Sequence, residues 1–189
     1  MVIITSNNSI VLRLIQKATE NPNVDVKGVM GKKALQKSIY FLNLKHGFFN
    51  FRWADYGPLS GEVQQIVQDL DSGNKITIKD IETKKNNIFI KNMQYVDGSM
   101  DFTDFPIDID ESLDNIVKFT AGKGPRDLEL LASVHFWAQK QQDLTDEYTV
   151  EYCHEKLTKL KPDAGFKITD VERAIETLED NDFLNPTEE

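Results

Sequence analysis

At 189 residues and 21.6 kDa, with 40% hydrophobic and 28% charged residues, the chain has the composition of one globular domain or two small lobes, long enough to bury a core without covalent staples. Its 31 acidic and 22 basic residues leave a formal net charge of −9 and a pI near 4.9, which excludes a surface that attracts nucleic acid or anionic membrane all over. The lone cysteine, Cys153, excludes an internal disulfide framework and a cysteine-based zinc cluster, and it fits a reducing, cytoplasmic location.

Residues 1–8 carry neither a basic n-region nor an apolar h-region, so no signal peptide is expected. No apolar run approaches the ~20 residues of a membrane helix, so no membrane partner is expected either. Ser9–Ala18 reads as a first amphipathic helix, with Val11, Leu14, Ile15 and Ala18 at helical spacing, stopped by Asn21-Pro22-Asn23. Gly28 and Gly31 lead into a second helix that ends near His46-Gly47. Its apolar stripe is Leu35, Ile39 and Leu42, and the spacing turns Lys33, Gln36, Lys37 and Asn43 away from it. Phe49, Phe51 and Trp53 alternate with polar residues as in a half-buried strand.

A turn at Tyr56-Gly57-Pro58 precedes a third helix over 60–70, buried through Val63, Ile66, Val67 and Leu70. Two β-rich runs, 75–82 and 87–95, form a hairpin around Lys85-Asn86. The remainder is helical: one helix marked by Leu128, Leu131, Val134 and Ala138, and another by Val150, Cys153, Leu157 and Leu160. A last helix opens on a Thr169…Glu172 capping box, buries Val171, Ala174, Ile175 and Leu178, and breaks at Asp180-Asn181-Asp182 before Phe183-Leu184. These elements predict an α+β protein, mainly helical. A winged-helix-like lobe with a β-hairpin spans 1–96, an acidic connector 97–115 and a helical lobe 116–189.

Leu35-Gln36-Lys37-Ser38-Ile39-Tyr40 and Trp53-Ala54-Asp55-Tyr56-Gly57-Pro58-Leu59-Ser60 carry a resemblance. The pattern resembles the YwgA-like family and, more distantly, the Panacea-type domains associated with toxin–antitoxin systems. In both, an L-Q-K-hydrophobic-hydrophobic-Y helix precedes an extended segment ending in Y-G-P and a further helix. Leu35, Gln36, Lys37, Tyr40, Tyr56, Gly57, Pro58 and Ser60 match; Ser38 stands where an apolar residue is usual, and Leu59 matches approximately. The resemblance spans about residues 35–64. It implies helix-rich regulatory or interaction modules, with an antitoxin role in some Panacea-type members, and it assigns no catalytic residues. Read physically, Gly57-Pro58 sets a sharp approach to the third helix and Ser60 caps it.

Charge is unevenly spread. Residues 27–54 hold Lys27, Lys32, Lys33, Lys37, Lys45 and Arg52 and no acid, a window of +6 in a chain whose remainder carries −15. Residues 97–115 hold Asp97, Asp101, Asp104, Asp108, Asp110, Glu111 and Asp114 and no base, for −7. The basic window reads as a surface for phosphate or an acidic partner, or as a solvated helix face beside an acidic neighbour in the same chain. Helix-turn-helix readout is disfavoured: about a dozen residues separate the second and third helices, against 3–4 in that motif. The third helix also carries Glu62, Asp69 and Asp71 without a basic residue. The acidic stretch reads as a docking arm or, preferably, as an irregular connector that packs Phe102, Phe105, Ile107 and Ile109 on its own core.

Chemical motifs are sparse. Gly28-Val29-Met30-Gly31-Lys32 lacks the spacing of a phosphate-binding loop. Cys153 and His154 are adjacent on a helix, so their side chains diverge by about 100° and form no nucleophile–base pair. His46 and His135 add no ligand pattern. Asp71 with Glu82 and Lys84 has the spacing of a magnesium-dependent nuclease, without the surrounding βαβ core.

The expected function is a non-catalytic, regulatory protein–protein interaction module, antitoxin-like, with Lys33, Lys37, Tyr40, Arg52 and Tyr56 meeting the partner. No cofactor or metal is expected. The alternatives are a nucleic-acid-associated transcriptional regulator using the basic helix 32–45 and, third, the magnesium-dependent nuclease.

Overall fold

The computed structural model describes residues 6–23, 27–83 and 88–185. Helix α1 (Asn7–Glu20) starts where the Ser6 hydroxyl accepts the Ser9 amide at 3.2 Å, a side-chain cap on an otherwise orphaned donor. Strand β1 (Val29–Met30) runs directly into α2 (Gly31–His46), which stops at Gly47 in the left-handed conformation. A short hairpin follows, β2 (Arg52–Ala54) and β3 (Gly57–Leu59), then α3 (Gly61–Ser72). Strands β4 (Ile76–Thr83) and β5 (Ile88–Tyr95) pair antiparallel, and β1 adds to β5, giving the sheet order β1-β5-β4.

The protein is therefore α+β and mainly helical, with three helices and five strands among the described residues before residue 96. The separation between α2 and α3 is filled by the β2–β3 hairpin. The turn at Lys85-Asn86 and the side chain of Lys84 lie outside the described residues.

Helices α4 (Ile107–Thr120), α5 (Pro125–Thr145), α6 (Val150–Leu160) and α7 (Ile168–Glu179) complete the chain. One apolar cluster runs through both halves: α2 packs on α4 and α5, and α1 on α4. The apolar positions expected for α3, α5 and α7 are all buried. Phe183 and Leu184 fold back after α7, with the Phe183 ring 4.8 Å from Phe41 and 4.7 Å from Phe119.

Several local expectations need correction. Residues 107–115 are not connector but the first turns of α4. Asp108 and Asp110 sit in its first turn, where carboxylates favour the helix dipole, and Ile109, Leu113, Ile116 and Val117 form its buried stripe. Two of its four acids are paired inside the chain, Asp110 with Arg13 at 2.8 Å and Lys17 at 2.9 Å and Asp114 with Lys17 at 2.6 Å, while Asp108 and Glu111 are exposed. Phe102 and Phe105 do pack on the core, but Ile107 is 76% exposed.

The strand expected from Phe49 begins only at Arg52, because the Asn43 carboxamide binds both the amide and the carbonyl of Phe49. Pro58 belongs to a strand, opposite Trp53, and not to the start of α3. The cap of α7 is formed by Asp170, which accepts the Lys167 amide at 2.9 Å; Thr169 lies within the first turn. Leu160, assigned to the buried stripe of α6, is 43% exposed, and Lys161 beside it is buried instead.

Candidate functional site

The β2–β3 hairpin turns at Asp55-Tyr56 and pairs Arg52 with Leu59, Trp53 with Pro58 and Ala54 with Gly57. Three residues a side cannot hold a hairpin in water. The support comes from beneath, where α2 places Lys33, Gln36, Lys37 and Tyr40 on one face, three or four residues apart.

Gln36 spans the hairpin's exit. Its amide donates to the Ser60 carbonyl at 2.9 Å and its oxygen accepts the Ser60 amide at 3.0 Å. Ser60 in turn caps α3 through a long, 3.5 Å contact from the Val63 amide to its hydroxyl. Lys37 is 1% exposed and donates to the Pro58 carbonyl at 2.6 Å. Glu129 of α5, also buried, accepts from Lys161 through Oε1 at 2.5 Å and from Lys33 through Oε2 at 2.6 Å.

These groups converge on Gly57, whose φ of +82° favours glycine. A Cβ there would stand 2.5 Å from Ser133 Oγ, 3.6 Å from Lys37 Nζ and 3.7 Å from Lys161 Nζ. Ser133 is fully buried, and its hydroxyl has no hydrogen-bond partner among the described groups.

Electrostatics follow from this crowding. Burial, then the charge of Lys161, pushes the Lys37 ammonium down to about 7, with Glu129 opposing. Burial alone would raise the Glu129 carboxyl, but the hydrogen-bonded ammoniums of Lys161 and Lys33 outweigh it and hold the group below its usual range. Burial also depresses Lys161, despite Glu129.

Above this base the hairpin shows its outer face. Tyr56 is 59% exposed, with the Lys33 ammonium 4.2 Å from its ring centre. Arg52 is exposed on β2. Trp53 packs on Phe136 and Trp137 at 5.4 and 5.0 Å, with Lys161 over its ring.

Of the five residues expected to meet a partner, Arg52 and Tyr56 are exposed and Lys33 is partly so, while Lys37 and Tyr40 are interior. Tyr40 donates its hydroxyl proton to His135 Nδ1 at 2.8 Å. The opposite ring nitrogen of His135 lies 3.0 Å from the Phe183 carbonyl, which can only accept, so Nε2 carries the ring proton. Burial pushes His135 down to about 4 and raises Tyr40 above its ordinary value. A cleft of about 790 Å³ lies beside this pair, lined among others by Phe51, Phe136, Gln139 and Lys140.

The remaining chemical candidates are dispersed. Cys153 is buried, its thiol pushed up to about 12, a poor nucleophile in this setting. His154 is 3.2 Å from the Phe166 carbonyl, and His46 is 2.9 Å from the Ser112 hydroxyl. Asp71 and Glu82 are exposed at the end of α3 and on β4. Among the described residues no three His, Cys, Asp or Glu side chains are placed to hold a metal ion.

The basic helix is also depleted as a nucleic-acid surface: Lys37 is buried and Lys33 is paired with Glu129, leaving Lys32 and Lys45 exposed. Among the described residues no helix is long and apolar enough to cross a membrane. The buried stripe and the polar stripe of α2 have the same helical period, so the i, i+3, i+4, i+7 spacing of Lys33, Gln36, Lys37 and Tyr40 was a legible signal of a second buried face. Glu129, Ser133 and Lys161 carried no comparable signal. The sequence matches no protein-family model and no curated protein.

Proposed function

We propose that this chain is a regulatory, cytoplasmic protein–protein interaction module of the antitoxin-like kind, which engages its partner through the β2–β3 hairpin and acts by contact, not catalysis. The observation that carries this reading is the exposed Tyr56 ring at the turn of a hairpin supported from below, with the Lys33 ammonium over its face and Arg52 exposed at the hairpin's other end. Tyrosine and arginine are the side chains on which interfaces concentrate their binding energy, because they bury much area at little cost in conformational freedom. The foundation supports the same reading. A buried ionic cluster is an expensive way to stabilise a fold, and apolar side chains of similar volume often do as well or better, so we assign its use to placing the hairpin.

The test is affinity capture from the native cell with the intact chain and with Arg52→Glu/Tyr56→Ala, with and without nuclease treatment. The variant is expected to lose the captured partner by tenfold or more while melting within a degree or two of the parent. Equal recovery by both proteins overturns the hairpin as the contact surface. Capture that disappears with nuclease supports instead the nucleic-acid-associated regulator, with Lys32 and Lys45 as its exposed contacts.

A further inference from the structure

The amines under the hairpin are not equivalent. Glu129 has both oxygens taken, Oε1 by Lys161 and Oε2 by Lys33, and each of those lysines thereby has a countercharge. Lys37, more deeply buried than either, has only the neutral Pro58 carbonyl. The charged groups acting on this centre come from every side: Glu129 from α5, Lys33 one turn earlier on α2, Lys161 from the segment after α6, and Asp55 from the hairpin turn, which acts on Lys161. Fully protonated, the cluster sets three ammoniums around one buried carboxylate.

An uncharged amine removes that excess and still donates to Pro58. It also offers a lone pair, and the unpartnered Ser133 hydroxyl converges with Lys37 Nζ on the same point at Gly57.

We propose that Lys37 is a protonation-controlled latch on the β2–β3 hairpin: as a neutral amine it holds the Pro58 carbonyl in the closed site, and on gaining a proton it draws toward water and loosens the hairpin that presents Tyr56. Burial, then the neighbouring Lys161, hold the amine at about 7 in the closed state. With the hairpin open, the amine is hydrated and returns toward its ordinary value of about 10.4. Between those limits the open form binds the extra proton, so the closed hairpin loses ground as the pH falls toward 7 and loses no more below it.

The experiment is hydrogen exchange of the β2–β3 backbone amides in the full chain between pH 6 and 9.5, corrected for intrinsic exchange, with the β4–β5 amides as internal reference. The opening constant of β2–β3 is expected to rise about tenfold for each unit the pH is lowered from 9 to 8 and to level off below 7. In Lys37→Met it should be low and independent of pH; in Lys37→Arg it should stay at the wild-type low-pH level throughout. Titration of the Lys37 ε-methylene resonances in the unmodified protein gives a readout that needs no variant, with a midpoint near 7 expected. An unchanged pH profile in Lys37→Met, or a Lys37 still charged at pH 9, overturns the latch. No partner enters either measurement, so the outcome is independent of what Tyr56 binds.

Discussion

The β4–β5 hairpin pairs eight residues against eight, buries Ile76, Met93 and Tyr95 on one face, and pairs Lys91 with Asp80 farther along that face, where both are mostly exposed. The β2–β3 hairpin pairs three against three and has no apolar face of comparable extent. The first is held by its own ladder and by α1 packed on β5. The second is held by side chains from α2, α5 and the end of α6, most of them polar and buried. Length and alternation suffice to form a hairpin. Fixing a short one in a chosen position takes groups that lie elsewhere in the chain.

Breaking the buried support should therefore cost far more than breaking the surface support. The largest effect is expected for Glu129→Gln, which leaves Lys33 and Lys161 facing each other without a countercharge; urea denaturation should show a loss of about 3–5 kcal/mol. Next comes the Tyr40–His135–Phe183 link behind the hairpin. His135 is held neutral, with its pKa lowered from 6.5 to about 4, so the unfolded chain takes up a proton that the folded chain refuses. Stability from this group is full above pH 6.5 and falls as the pH drops to 4, by about 3 kcal/mol in all. His135→Gln should flatten that part of the pH profile; an unchanged profile would mean that His135 titrates freely in the folded protein.

A smaller effect is expected from Gln36→Ala, which strands the buried amide of Ser60 and removes one of the two donors to its carbonyl. It should cost about 1–3 kcal/mol and raise exchange in β3 and the first turn of α3 more than in β4–β5. Least of all is Lys91→Ala on the long hairpin. Lys91 and Asp80 are mostly exposed, and their loss should change the melting free energy by about 0.5 kcal/mol or less, with still less difference at high salt. A loss of several kcal/mol there, or none at Glu129, would reverse the contrast between the two hairpins.

What could be read without coordinates divides along the same line. The helices came through because their signals are local: the stripe of Val63, Ile66, Val67 and Leu70, the glycine after His46, and the period-two runs on either side of residues 84–87. The beginning of α4 was obscured because its carboxylates resemble a solvated connector until Arg13 and Lys17, 97 residues distant in two of the pairs, are brought against them. The Asn43 clamp on Phe49 likewise displaced a strand that alternation alone would place there.

The candidate site was half legible. The sequence by itself determined a mainly helical α+β chain, the two helices that flank the turn at Tyr56-Gly57-Pro58, and the exposed chemistry of Arg52 and Tyr56, but not the β2–β3 pairing between those helices. Only the tertiary structure decided that Lys37 and Tyr40 face inward. A lysine has an aliphatic stem long enough for the interior and an ammonium suited to water, so its local pattern is compatible with either side. The choice was made by a carbonyl 21 residues on, a histidine 95 residues on, and a carboxylate whose two oxygens were already taken.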